Sequence, residues 1–119
     1  MNKTTHSFLG FDIPIDLMLK TGGGPENFDA IALHHRNFML ENLNLQENQS
    51  ILELGCGIGK DAIHLATLGP QISSYVGIDI IYDSILWAKE NITSKHPNYV
   101  FVHNDIKDQL HNSSGERGK

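Results

Sequence analysis

The sequence predicts an α/β domain built on a three-stranded parallel sheet, with flanking helices and an N-terminal helical cap. Three observations carry that reading. Short apolar runs at 50–54, 75–80 and 99–105 are bounded by turn residues, as buried strands are. Helix-patterned segments at 60–68 and 82–92 separate them. Near-continuous apolar strands joined by helices imply a parallel sheet covered on both faces, with right-handed crossovers.

Taken in chain order, residues 1–24 cluster Phe8, Leu9, Phe11, Ile13, Ile15, Leu17, Met18 and Leu19, with a short helix expected around 15–20. Gly22-Gly23-Gly24-Pro25 breaks it. Pro25 suits a helix start, and 26–43 is expected to be helical. Phe28, Ile31, Ala32, His35, Phe38 and Met39 make one apolar stripe there. Residues 44–50 are a polar connection into the first sheet strand. After the glycine-rich loop 55–59, the helix 60–68 stops at Gly69-Pro70, where Gly can take a left-handed position and Pro cannot continue. In the helix 82–92, Ile85, Ala88 and Ile92 share one side, and His96-Pro97-Asn98 turns the chain into the last strand. The tail 109–119 is polar and expected to be disordered. The expected division is a cap or lid over 1–45, a nucleotide-type sheet domain over 46–108 and the tail.

Composition sets limits on function. The chain has 119 residues, 39% hydrophobic and 19% charged, enough to bury one core. A net charge of -5 gives no electrostatic footprint for nucleic acid or an anionic membrane. There is no apolar run of signal-peptide length, and none near the roughly 18 residues of a membrane span. The one cysteine, Cys56, cannot form a disulfide framework and fits a reducing compartment. The expectation is a cytoplasmic protein without nucleic-acid or membrane partners. The seven histidines show no ligand spacing, so no metal site is expected.

The chemistry centres on Glu53-Leu54-Gly55-Cys56-Gly57-Ile58-Gly59. Glycines let a backbone take positive φ and approach a ligand closely. The helix that follows at once points its free N–H groups and positive dipole end into the turn, favouring an anionic group. Spacing narrows the ligand. A dinucleotide fingerprint from Gly55 needs glycine where Lys60 stands, and a P-loop ending in Gly59-Lys60 needs glycine at Leu54 and Ser or Thr at Asp61. Both fail. Asp79 ends the second strand about 20 residues further on, where a ribose diol would lie. Asp105 ends the third and can accept from an exocyclic amine.

Ile51 to Gly59 resembles motif I of class I S-adenosylmethionine-dependent methyltransferases. Val76-Gly77-Ile78-Asp79-Ile80 resembles their second motif, and Val102-His103-Asn104-Asp105-Ile106 their third. The resemblance implies a Rossmann-like fold with these strands in the order 3-2-1. It implies S-adenosylmethionine as cofactor, with Glu53 and the loop residues Gly55, Cys56, Gly57 and Gly59 at its methionine part. It implies Asp79 at the ribose, Asp105 and Ile106 at the adenine, and Ile80 packed on the adenine ring. The family often opens the helix after strand two with Ser-Pro; Ile81-Tyr82 stand there, so Asp83 or Ser84 is expected to cap one turn later.

The family fold continues into a fourth strand beside strand one, and no such strand follows Ile106. The expectation is therefore a truncated fold with an open, apolar first strand that invites a second half or self-association. The leading functional expectation is a methyltransferase of small molecules, as a fragment inactive alone and with no catalytic residue assigned. The rival is a non-catalytic S-adenosylmethionine-binding or interaction fragment. Blander roles are expected elsewhere: His35 as a packed, hydrogen-bonded residue rather than a base, Trp87 as packing, and Cys56 as the small residue its loop admits rather than a nucleophile.

Overall fold

The computed structural model describes residues 4–20 and 23–104. The chain opens with strands β1 (Thr5–Phe8) and β2 (Phe11–Pro14), then helices α1 (Ile15–Lys20) and α2 (Pro25–Asn42). There follow β3 (Ser50–Leu54), α3 (Lys60–Leu68), β4 (Ser74–Asp79), α4 (Tyr82–Ala88) and β5 (Tyr99–His103). Helix α4 runs on into a π-helical turn over Lys89–Thr93. Asp105, Ile106 and the tail 109–119 lie outside the described residues.

Strands β3, β4 and β5 form a parallel sheet in that order, with Leu52, Val76 and Val100 in register. Side chains alternate across a strand, so each strand presents two different faces. Tyr75, Tyr99 and Phe101 on one face are buried in the core, with Tyr75 and Tyr99 stacked at 5.1 Å. The other face carries Leu52, Leu54, Val100 and Val102, all exposed. The expectation of a sheet covered on both faces is therefore corrected: among the described residues one face is covered. The apolar runs could not reveal this, since hydrophobicity on both faces fixes the strand but not what lies against it.

The N-terminal segment also departs from the sequence reading, which placed no strand there. β1 and β2 form an antiparallel hairpin, pairing Phe8 with Phe11 and His6 with Ile13. Its turn residues Leu9 and Gly10 have φ of 49° and 88°. Two successive positive φ values are what a type I′ hairpin turn requires, and Asn or Asp usually takes the place held by Leu9, which hid the signal. Phe8, Phe11 and Ile13 join one core with Met18, Phe28, Ala32 and Trp87. Phe8 meets Phe28 edge-on at 5.0 Å, and Phe11 meets Trp87 at 6.4 Å. Lys95 donates to the Gly10 carbonyl at 3.3 Å and lies over the Phe11 ring.

Three local expectations are corrected. The α2 stripe is buried at Phe28 and Ala32 but open at Phe38, which lies toward the uncovered edge of β3. Gly69 ends α3 in an extended conformation, φ -88° and ψ -177°, rather than left-handed. The Pro70 ring explains this, since the residue before proline is pushed to the β region. Neither Asp83 nor Ser84 caps α4. Asp83 pairs with Lys20 at 3.2 Å.

Ser84 is fully buried, and its hydroxyl has no hydrogen-bond partner. Burying an unmet hydroxyl is unfavourable, so Ser84→Ala is expected to stabilise the fold by about 1 kcal/mol. Thermal unfolding checks this; a lower midpoint would show that the hydroxyl is satisfied.

Candidate functional site

The loop between β3 and α3 has Gly55, Gly57 and Gly59 at φ of 73°, 58° and 96°. The Gly55 and Cys56 N–H groups both donate to the Ile78 carbonyl, at 2.8 and 3.1 Å, which ties the loop to β4. Gly77 permits that approach: a Cβ there would lie 2.9 Å from the Cys56 side chain and the Tyr75 hydroxyl. At the end of β4 the Asp79 carboxylate reaches back to the loop. Oδ2 accepts from Gly57 N–H at 2.8 Å, and Oδ1 accepts from Ile81 N–H at 2.9 Å. A carboxylate offers about four lone-pair sites, so each oxygen keeps one for another donor. α3 begins directly after the loop and has no side-chain cap, leaving its first N–H groups to point into the turn.

Leu54, Gly55, Ile78, Asp79, Ile80 and Asn104 line an open cavity of about 220 Å³. Asn104 is held there by its N–H, which donates to the Asp79 carbonyl at 2.9 Å. Thus Gly55, Gly57, Asp79 and Ile80 lie together at the ends of β3 and β4. Asp105 and Ile106 follow Asn104 but are outside the described residues. Cys56 is buried, and burial together with the nearby Glu53 and Asp79 carboxylates pushes its thiol well above its ordinary range. A thiol held protonated packs and does not attack.

Glu53 does not line this cavity. It lies on the other side of Leu54, in a groove of about 530 Å³ along the edge of β3. Its carboxyl accepts a hydrogen bond from the fully buried Tyr75 hydroxyl. Burial pushes Glu53 up to about 8, and the hydrogen bond and negative charge of Asp61 add to the shift. Protonated Glu53 donates to Asp61, and His35 Nδ1 donates to the same Asp61 carboxylate at 3.1 Å. The result is a hydrogen-bonded line, Tyr75–Glu53–Asp61–His35. The sequence reading missed Asp61, Tyr75 and Asn104 as site residues. Asp61 carried a signal, as an acid on the first turn after the glycine loop; Tyr75 had none.

The sequence profile for the methyltransferase domain matches residues 45–117. This chain belongs to that methyltransferase family. The membership agrees with the class I S-adenosylmethionine-dependent motifs that the loop and strand ends resemble. The domain is 32% identical over 84 residues to 235L of Invertebrate iridescent virus 6, named as a proposed methyltransferase. That alignment takes in 71% of this chain and 29% of the relative, so the domain spans less than a third of the relative's length. Among solved structures, the PH0226 protein of Pyrococcus horikoshii OT3 shares the fold, with a TM-score of 0.50 at 21% identity. The match covers 74% of this chain and 38% of that one. Coclaurine N-methyltransferase, solved with N-methylheliamine and SAH, gives a TM-score of 0.48 at 18% identity, over 71% and 23% of the two chains. Among the described residues of this methyltransferase domain, no three His, Cys, Asp or Glu side chains gather as metal ligands.

Proposed function

We propose that this chain binds S-adenosylmethionine and forms the cofactor-holding part of a methyltransferase acting on a small molecule. The observation that carries the reading is the Asp79 carboxylate, which braces the glycine loop and still has one free acceptor site on each oxygen. A vicinal diol needs two such acceptors. Ile80 and Asn104 lie beside it in the same cavity, Ile80 as an apolar wall for the adenine. Asp105 and Ile106, outside the described residues, are assigned to the adenine on the motif resemblance alone. The α3 N-terminus and the Gly55, Cys56, Gly57 and Gly59 backbone take the methionine carboxylate, and the ammonium end extends past Leu54 toward Glu53 in the adjoining groove. When bound, the cofactor supplies an electrophilic methyl on a sulfonium. The domain contributes orientation and proximity, the main resource of such transfer.

These 119 residues by themselves transfer methyl groups poorly in this reading, because β3 leaves Leu54 exposed at the edge of the cavity. The same open strand favours a second reading, an interaction module that pairs through β3 without catalysis. The single buried thiol suits a cytoplasmic setting.

Calorimetric titration with S-adenosylmethionine tests the proposal. The wild-type chain is expected to bind, and Asp79→Asn to bind at least about tenfold more weakly, since an amide offers one acceptor oxygen in place of two. Equal affinity of the two proteins, or no binding by wild type, would overturn it. Binding without any methyl transfer in the presence of a complementing partner would favour the interaction module.

A further inference from the structure

The turn between β4 and α4 is two residues long, Ile80 and Ile81, and Ile80 is an apolar wall of the cofactor cavity. On one side of the turn, Asn104 N–H donates to the Asp79 carbonyl at 2.9 Å and closes the β4–β5 ladder. On the other, the Ile81 carbonyl accepts the first bond of α4, from Ile85 N–H at 3.2 Å. The Ile80 carbonyl falls between ladder and helix, and no backbone N–H among the described residues donates to it.

A side chain meets it instead. His103 Nε2 lies 3.1 Å from the Ile80 carbonyl. A carbonyl only accepts, so Nε2 is the donor. His103 stands opposite Asp79 in the register of β5 on β4, which brings its ring to this turn. The Tyr82 ring meets the imidazole edge-on, with centroids 5.4 Å apart at 83°. His103 thus touches the residues on either side of Ile81. The peptide unit joining Ile80 to Ile81 is held at both ends: its N–H by Asp79 Oδ1 at 2.9 Å, its C=O by His103.

We infer that His103 is a positioning residue for the adenosine end of the cofactor: it fixes the Ile80–Ile81 peptide and so keeps the Ile80 side chain at the adenine. The inference rests on the S-adenosylmethionine reading above and deepens it. Ile80 is 36% exposed, so the core does little to hold its side chain in place. Its direction comes from the backbone that carries it, and a peptide is planar, so fixing the N–H and C=O fixes that backbone. A wall already in place spares the ligand the cost of ordering it. His103 does not line the cavity and acts through Ile80. Nε2 can donate in the neutral ring and in the imidazolium alike, so this hold does not depend on the charge of the ring.

The test is calorimetric titration of the 119-residue chain and two variants with S-adenosylhomocysteine and with adenosine. His103→Phe keeps a ring against Tyr82 and removes the donor. It is expected to bind both ligands about fivefold more weakly than wild type. Its thermal midpoint is expected to stay near that of wild type, because the lost bond is exposed. His103→Gln restores an N–H donor and is expected to bind both ligands within about twofold of wild type. In the wild-type complex, a labelled Ile80 methyl is expected to show a nuclear Overhauser contact with the adenine protons. Wild-type affinity in His103→Phe, equal losses in the two variants, or a loss matched by a lowered midpoint would overturn the inference. So would a loss confined to S-adenosylhomocysteine with adenosine unchanged, or a bound complex in which Ile80 does not meet the adenine. No binding of S-adenosylhomocysteine by wild type would instead sink the S-adenosylmethionine reading itself.

Discussion

Glu53→Gln is expected to make the protein more stable at pH 8.5 and to remove most of the pH dependence of its unfolding. Burial first, and Asp61 second, raise the folded-state pKa of Glu53 from 4.5 to about 8. Below pH 4.5 both folded and unfolded chains carry the proton, and stability does not depend on this group. Between pH 4.5 and 8 the unfolded chain has released it and the folded chain has not, so stability falls as pH rises. Above 8 the folded state holds a buried carboxylate beside Asp61. Glutamine keeps the useful contacts without that burden, since its amide can donate to Asp61 and its oxygen can accept from Tyr75. The expected gain is about 3 kcal/mol at pH 8.5 and near zero at pH 4.5. Thermal unfolding from pH 4.5 to 8.5 reads both. Parallel curves for the two proteins would show that Glu53 is ionised throughout. The same variant is expected to bind S-adenosylmethionine more weakly. Stability gained as affinity is lost would mark a residue kept for its function.

The second large effect is at Gly59. Its φ of 96° already penalises any side chain, and an added Cβ would fall 2.6 Å from Cδ1 of the fully buried Ile92. Strain and overpacking together predict a loss of about 3 kcal/mol for Gly59→Ala. Gly55→Ala is the comparison: φ is 73°, but nothing lies within 4 Å of the added carbon. Its cost is expected to be about 1 kcal/mol, the backbone contribution alone. Urea denaturation separates the two. In an Ile92→Ala background the Gly59 penalty should shrink toward that of Gly55, and equal losses in the parent protein would refute the steric account.

Much of the sheet was legible because its information is local. The glycine loop is announced by residue types that few other structures need, and Asp79 stands where a strand must end. The hairpin was not legible, because its turn places a leucine at positive φ. The Glu53 cluster was not legible for another reason. Glu53, Asp61 and Tyr75 meet only when β3, α3 and β4 pack, and no spacing rule links positions 53, 61 and 75. Nor could the pattern reveal that one sheet face stays open, since Leu52 and Val100 are as apolar as residues that are covered.

The contact between Lys95 and the Gly10 carbonyl joins groups 85 residues apart. During synthesis β1 and β2 must therefore wait for the residues that follow α4. At roughly 5–20 residues per second, that delay is several seconds. Through that interval Phe8 and Phe11 have no Trp87 or Lys95 to cover them. The hairpin is thus made well before the residues that secure it, and in that interval a newly made copy leaves Phe8 and Phe11 open to chaperones.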